Sequence, residues 1–236
     1  MAVLAIGAAG FVAFHGVRRF QNAESITTDA IKRGRVVRGY VTKVADGDTL
    51  RIYSTNFFRR KPPANARPLP ITETIAVRLA SVDAPELPHF GNPGQPLAAD
   101  ARNHLANLVL NKRVVVNPVV SKDRYGRVVG VVWRGPWFWR SDVGLEMVKA
   151  GLAAVHHVKS SPTATDRDSA LRVAEESAKS AKRGVWMLGD KYIAPSEFRK
   201  QHPSSALGAL TDDDTSDVTT GKRSFFGWLE GLFSRK

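Results

Sequence analysis

The chain has 236 residues, which suffices for one domain with a sizeable core plus appendages, or for two small domains. It contains no cysteine, so disulfides, thiolate metal ligands and cysteine nucleophiles are excluded, and any metal must be held by oxygen or imidazole ligands. The formal net charge of +13 indicates a polyanionic partner, either nucleic acid or an anionic membrane surface.

The N-terminal stretch MAVLAIGAAGFVAFHGV, residues 1–17, carries no charged side chain unless His15 is protonated. Its length is at the short limit for a membrane-spanning helix, and two arginines follow it, whereas a secretory signal has its cations before the apolar residues. We therefore predict a single-pass membrane anchor in residues 1–20, with the rest of the chain on the cytosolic or matrix side. A cleaved targeting peptide and a buried helix are the alternatives.

The polar residues 21–35 predict a linker. Runs rich in valine and other β-formers then predict five strands: VVRGYVTKV, DTLRIY, TIAVRLASV, RVVVNPVV and GRVVGVVW. The four prolines and four cations of residues 54–73 predict a basic loop between the second and third strands. Apolar spacing, capping residues and terminal glycines predict helices over residues 97–110, 142–150 and 168–183.

Three strands before the first helix and two after it predict a mainly β fold with helices, a five-stranded, partly open barrel of the OB type with helices packed on it. We assign this domain to residues 36–200. Residues 201–236 predict a low-complexity, disordered tail. Its end, KRSFFGWLEGLFSRK, has apolar residues at helical spacing between cations, which predicts an amphipathic helix in a membrane interface, or a segment that docks on its own domain or on a partner.

Three short motifs place acidic and arginine side chains near predicted strand ends. They are VADGDTL, with Asp46 and Asp48; VRLASVDAPE, with Arg78, Asp83 and Glu86; and DRYGR, with Asp123 and Arg127. Taken singly, each residue has an ordinary structural explanation, because acids cap turns and exposed strands tolerate arginine. Together and in this order, the motifs predict that the charges converge on one place.

The motifs resemble those of the staphylococcal-nuclease (thermonuclease) family, which has a DGDT turn, an R-x-x-x-VD-x-PE strand end and a D-x-YGR strand start. The resemblance covers about residues 36–186. The GNPGQP stretch, the SPT-rich insert and the ending APSEFRKQH are similar to the membrane-anchored mitochondrial endonucleases of fungi. The resemblance implies a staphylococcal-nuclease fold and a calcium-dependent endonuclease, a hydrolase that cleaves phosphodiester bonds of DNA or RNA and leaves a 3′-phosphate. It also implies a mitochondrial membrane location, and we expect a monomer.

The resemblance assigns roles to five of these residues. Asp48 and Asp83 correspond to side-chain ligands of calcium, a hard cation that prefers oxygen. Glu86 corresponds to the general base that orients or deprotonates the attacking water. Arg78 and Arg127 correspond to the two groups on the scissile phosphate, because a guanidinium offers permanent charge and paired N–H donors to a five-coordinate transition state.

Three further residues are predicted to bind nucleic acid. Lys122 and Arg124, with the Arg59-Arg60-Lys61 loop, are candidates to follow a phosphate backbone, and Tyr125 is the candidate to stack on a base or nucleoside. The alternative for the cations is simple solvation or attraction to anionic lipid.

The sequence departs from the family pattern in two places. Ala84, whose main-chain carbonyl would complete the calcium ligands, stands where the family usually has threonine. After Gly151, where the family often has tyrosines that pack on the nucleotide, this chain has Val155-His156-His157-Val158-Lys159, which predicts altered stacking. We expect the two histidines to be loop or groove residues, because adjacent strand residues face opposite ways and no further zinc ligand is evident.

Two other functional classes remain open from the sequence. One is a non-catalytic OB module that binds nucleic acid on a membrane; it would be expected to lack at least one of Arg78, Glu86 and Arg127, and all three are present. The other is a tethering protein in which the barrel is a spacer, which leaves the convergent charges unexplained.

Overall fold

The structure is a computed structural model that describes residues 19–56, 62, 69–88, 93–156 and 166–202. The predicted membrane anchor, the Arg59-Arg60-Lys61 loop and the amphipathic C-terminal helix lie outside the described residues. In the part of the chain that the structure describes, no helix combines the length and apolar composition needed to cross a bilayer.

A sheet of six strands forms the centre of the fold. Its strands are β1 (Val37–Val44), β2 (Thr49–Ser54), β3 (Thr74–Leu79), β5 (Arg113–Val120), β6 (Val128–Arg134) and β7 (Ser141–Asp142). Two short strands, β4 (Val82–Asp83) and β8 (Ala154–Val155), pair with each other. The order is β3-β2-β1-β5-β6-β7, and β3 also pairs with β6, so the five longer strands are joined in a closed circuit. These five strands lie where the sequence predicts them, and the mainly β fold with helices is confirmed.

The strand register brings the three charged motifs together. In the antiparallel pair β2–β3, Thr49 lies opposite Arg78. In the parallel pair β3–β6, Arg78 lies opposite Val129, two residues after Arg127. The starts of β2 and β6 therefore meet the end of β3.

Five α-helices lie in the described residues; the second, third and fourth lie where the sequence predicts helices, and the first and fifth were not predicted. They are α1 (Thr28–Lys32), α2 (Ala98–Val109), α3 (Val143–Lys149), α4 (Asp166–Ser180) and α5 (Pro195–Gln201). Asp142 caps α3 as predicted, because its side chain accepts a hydrogen bond from the Leu145 N–H. Two glycines that follow helices pack backbone to backbone: a Cβ on Gly151 would lie 2.2 Å from the Arg183 carbonyl oxygen, next to Gly184.

The segment predicted as a linker is folded onto the sheet. It contains a 3-10 turn, Ala23–Ser25, and helix α1. Ile26 is only 2 % exposed and belongs to the core, as does Phe20 just before the segment. The sequence gives little sign of this, because buried residues in two short turns do not recur at helical or strand spacing.

Candidate active site

The DGDT turn places two carboxylates at the start of β2. The Asp46 carboxylate accepts a hydrogen bond from the Asp48 backbone N–H at 2.9 Å, which fixes the turn. Glycine fits at position 47 because a Cβ there would come within 2.6 Å of the Ala84 Cβ. Asp48 is buried, and its Oδ1 accepts a hydrogen bond from the Thr49 hydroxyl at 2.8 Å.

Arg78 links the acids of the first and second motifs. Its Nη2 atom lies 2.9 Å from Oδ2 of Asp48 and 2.5 Å from Oδ1 of Asp83. Asp83 stands in β4 and is 3 % exposed. Because one guanidinium nitrogen contacts both carboxylates, an oxygen of Asp48 and an oxygen of Asp83 lie close together.

Arg127 reaches the same place from the residue before β6. Asp123 accepts the Arg127 backbone N–H through Oδ1 and the Nε–H through Oδ2, both at 2.9 Å. The guanidinium then donates from Nη1 to Thr49 Oγ1 at 3.1 Å. Since Thr49 also donates to Asp48, a single hydroxyl connects Arg127 to that carboxylate.

Glu86 lies at the edge of this network. The preceding residue, Pro85, is buried. The Glu86 backbone N–H donates to Gln95 Oε1 at 3.0 Å, and the Gln95 N–H donates to the Glu86 carbonyl at 2.8 Å. These two bonds fix the main chain, while 21 % of the Glu86 side chain remains open to solvent.

A third arginine, which sequence reasoning missed, enters from α5. Arg199 donates from Nη1 and Nη2 to the two oxygens of Asp83 at 2.9 and 2.7 Å, and Nη1 also contacts Glu86 Oε1. Burial opposes the charge of Arg199, but its hydrogen bonds to these two acids raise its pKa above the ordinary value. The buried neighbour Phe198 fixes the helix. Because Arg199 and Asp83 are 116 residues apart, no local spacing indicates the contact.

The arginines and burial shift the pKa values of the acids in opposite directions. Burial alone would raise the pKa of Asp48, but Arg78 and Arg127 lower it below its ordinary value. For Asp46 and Glu86, burial first and the Asp48 charge second raise the pKa. The site thus combines a firmly ionised Asp48 with a Glu86 carboxyl that has a greater affinity for a proton.

Known proteins resemble this chain along most of its length. Residues 76–188 match the family described as Staphylococcal nuclease homologue. The protein named Probable endonuclease LCL3 from Verticillium alfalfae is 36% identical over 223 residues, which cover 91% of this chain and 76% of the relative. The chain belongs to the staphylococcal nuclease homologue family. Probable endonuclease LCL3 from Candida tropicalis is 38% identical over 193 residues, which cover 79% of this chain and 81% of that relative. The predicted resemblance to this family and its fungal endonucleases is confirmed.

The residues predicted to bind nucleic acid lie beside Arg127, in the turn between β5 and β6. The guanidinium carbons of Arg124 and Arg127 lie 4.7 and 5.1 Å from the centre of the Tyr125 ring. Lys122 lies 3.7 Å from Glu24, and because both side chains are largely exposed this ion pair is weak. The structure therefore places Tyr125 next to Arg127 and Arg124, and Lys122 beside Glu24.

The two departures from the family pattern also border the site. Ala84 is buried, and its Cβ occupies the space beside Gly47. His156 is exposed, and its N–H donates to the Ser81 carbonyl at 2.9 Å, just before the strand that carries Asp83. His157 lies outside the described residues.

Asp48 and Asp83 are the residues that would hold a divalent cation of the kind that the family implies. Asp48 and Asp83 offer hard oxygen donors that converge, but Arg78 and Arg199 already contact these oxygens, so a divalent cation would have to share the carboxylates with the guanidinium groups or displace them. Among the described residues, no three acidic or histidine side chains are grouped as ligands of one ion. The protein would therefore supply two carboxylates, with main-chain oxygen and water as the remaining ligands.

Proposed function

We propose that this protein is a membrane-anchored, calcium-dependent endonuclease that hydrolyses phosphodiester bonds of DNA or RNA. Family membership supports a nuclease of the hydrolase class. The observation that carries the proposal is the continuous chain of contacts that joins Arg127, Thr49, Asp48, Arg78 and Asp83. It brings the two arginines and two acids of three separate motifs into one site.

The two arginines of the motifs are the proposed phosphate-binding groups. Arg78 contacts Asp48 from β3, and Arg127 reaches it through Thr49 from the residue before β6, so a phosphate beside that acid would meet a guanidinium on two sides. Hydrolysis adds negative charge to the phosphorus centre in the transition state, and paired N–H donors stabilise that charge more than they stabilise the substrate. Asp123 is a positioning residue, because it holds Arg127 through three N–H groups.

Glu86 is the proposed general base for the attacking water. Its raised pKa, caused by burial and the charge of Asp48, moves the carboxylate toward the range in which proton transfer is efficient. Its main chain is fixed by Gln95, and Arg199 orients the carboxylate. Glu86 therefore accepts the proton from a fixed position at the partly open edge of the site.

Asp48 and Asp83 are the proposed holders of calcium. When bound there, the ion would act as a Lewis acid that polarises a phosphate oxygen and offsets its charge. Arg199 engages both oxygens of Asp83, so a cation that binds Asp83 must share it with Arg199 or displace it.

Cleavage assays on the full-length chain in detergent test this proposal. We expect a fluorescent single-stranded DNA to be cut in calcium and not in EDTA, with activity lost in Arg127→Ala but kept in the matched surface control Arg172→Ala. Tight, salt-sensitive binding without cleavage under any divalent metal would instead support the non-catalytic module.

Membrane anchoring through residues 1–20, and a mitochondrial location, are part of the same proposal. They are supported by the apolar N-terminal stretch followed by two arginines and by the resemblance to anchored fungal endonucleases. The chain should remain in the membrane fraction after carbonate extraction, and release into the supernatant would count against a spanning segment.

A further inference from the structure

An exposed aromatic loop follows β6 and lies outside the candidate active site. Residues 135–140 connect β6 to β7, and their sequence is GPWFWR. Trp137, Phe138 and Trp139 are 80, 68 and 82 % exposed. Scattered exposed apolar residues are normal, but three consecutive large aromatic residues that are all exposed indicate an interaction surface.

Backbone contacts hold this aromatic loop in a closed turn. The Trp139 N–H donates to the Pro136 carbonyl at 2.9 Å. Gly135 has a φ of +92°, and a Cβ there would come within 2.6 Å of the Trp139 carbonyl oxygen, so only glycine allows the chain to close in this way. The rings of Trp137 and Phe138 pack edge to face, with centroids 5.7 Å apart. The aromatic side chains are thus presented on a fixed turn.

The aromatic loop is too far from the catalytic arginines to act on the scissile phosphate. Val129 lies opposite Arg78, and β6 continues from there to Arg134 before the loop begins. At the rise of an extended strand, those five steps carry the chain about 16 Å from the site. The aromatic residues therefore do not contact the phosphate at which the strand is cut, and must have another binding role.

Cationic side chains flank the aromatic loop. Arg134 and Arg140 stand at its two ends, and Arg113 is exposed at the start of β5, next to Val114, the residue that pairs with Arg134. The acid at the end of the loop, Asp142, is held by Arg167 at 2.6 Å and offers little repulsion to an anion. A positive collar around an apolar tip is complementary to a bilayer with anionic headgroups.

We propose that Trp137, Phe138 and Trp139 insert into the interface of an anionic membrane. Tryptophan is enriched at the headgroup level because its ring is apolar and its N–H is polar, and arginine side chains reach from the interface to phosphate groups. Single-stranded nucleic acid is a poorer match, since two of the three rings pack against each other at right angles instead of forming separate stacking platforms. Insertion of the aromatic loop does not require residues 1–20, and it would fix the orientation of the domain on the bilayer.

The absence of cysteine allows a test with a single spin label on the full-length chain. The nitroxide is attached in Phe138→Cys, with Val173→Cys on α4, 71 % exposed, as the matched control. In vesicles of 70:30 phosphatidylcholine and phosphatidylserine, we expect the label at position 138 to be shielded from a water-soluble nickel relaxant and accessible to oxygen, while the label at position 173 stays accessible to nickel. Changing both Trp137 and Trp139 to serine should return the label at 138 to water.

Equal nickel accessibility at positions 138 and 173 would overturn the proposal. The proposal would also be overturned if single-stranded DNA, without vesicles, shielded the label at position 138 and vesicles did not. That result would assign the loop to nucleic-acid binding. The readout is local to the loop, so it depends neither on nuclease activity nor on whether residues 1–20 span the membrane.

Discussion

Replacing Arg199 by alanine should destabilise the metal-free protein strongly. The substitution removes both N–H groups that pair with the Asp83 oxygens and the contact to Glu86, and Asp83 is only 3 % exposed. Removing one partner of a buried ion pair costs about 3–5 kcal/mol, and because Arg78 still contacts Asp83 we expect a loss of about 2–4 kcal/mol in the free energy of unfolding.

Calcium should reduce this loss if the ion binds at the same acids. A cation at Asp83 replaces the charge that Arg199 supplied, so calcium should stabilise Arg199→Ala more than it stabilises the wild type. The assay is urea unfolding followed by tryptophan fluorescence, in EDTA and in calcium. The neighbouring exposed Lys200→Ala is the matched control.

Two results would refute this reasoning about Arg199. One is a loss in EDTA no larger than that of Lys200→Ala, which would mean that the contacts to Asp83 contribute nothing net. The other is an equal gain from calcium in Arg199→Ala and wild type, which would mean that Arg199 and the ion do not share Asp83.

Three further predictions concern the parts of the fold that build the site. Gly47→Ala should lower the free energy of unfolding by about 1–3 kcal/mol, because its Cβ would lie 2.6 Å from that of Ala84; urea unfolding measures this, and an unchanged midpoint would contradict it. Ile26→Ala should cost about 2–5 kcal/mol in the same assay, whereas a true linker residue would cost nothing. Asp123→Asn should reduce kcat by roughly 10-fold or more through a misplaced Arg127, with little change in KM, and a wild-type kcat would show that Asp123 does not position the guanidinium.

The strands and the motif residues could be predicted because their signals are local. Runs such as RVVVNPVV indicate strands by composition, and Asp48, Arg78 and Arg127 stand in short motifs with recognisable spacing. The motifs do not indicate that β3 pairs with both β2 and β6, and this pairing brings the three side chains together. This pairing depends on how the whole sheet forms and has no local signal in the motifs.

The features that the sequence did not reveal depend on contacts between distant segments. Arg199 is one of several cations near the end of the described chain, and its pairing with Asp83 arises only when α5 docks. Ile26 is a single apolar residue in a polar stretch, and its burial follows from the way two short turns meet the sheet. Trp137 and Trp139 could belong to a core as readily as to a surface until the fold shows how exposed they are.

The rate of DNA cleavage in Glu86→Gln tests the central claim most directly. The amide keeps the shape of the side chain but cannot accept a proton, so single-turnover cleavage in calcium should fall about 100-fold or more, with the circular dichroism spectrum unchanged. Glu176→Gln, at a largely exposed position on α4, should cut at the wild-type rate. Cleavage by Glu86→Gln at the wild-type rate would contradict the assignment of this site as the catalytic centre.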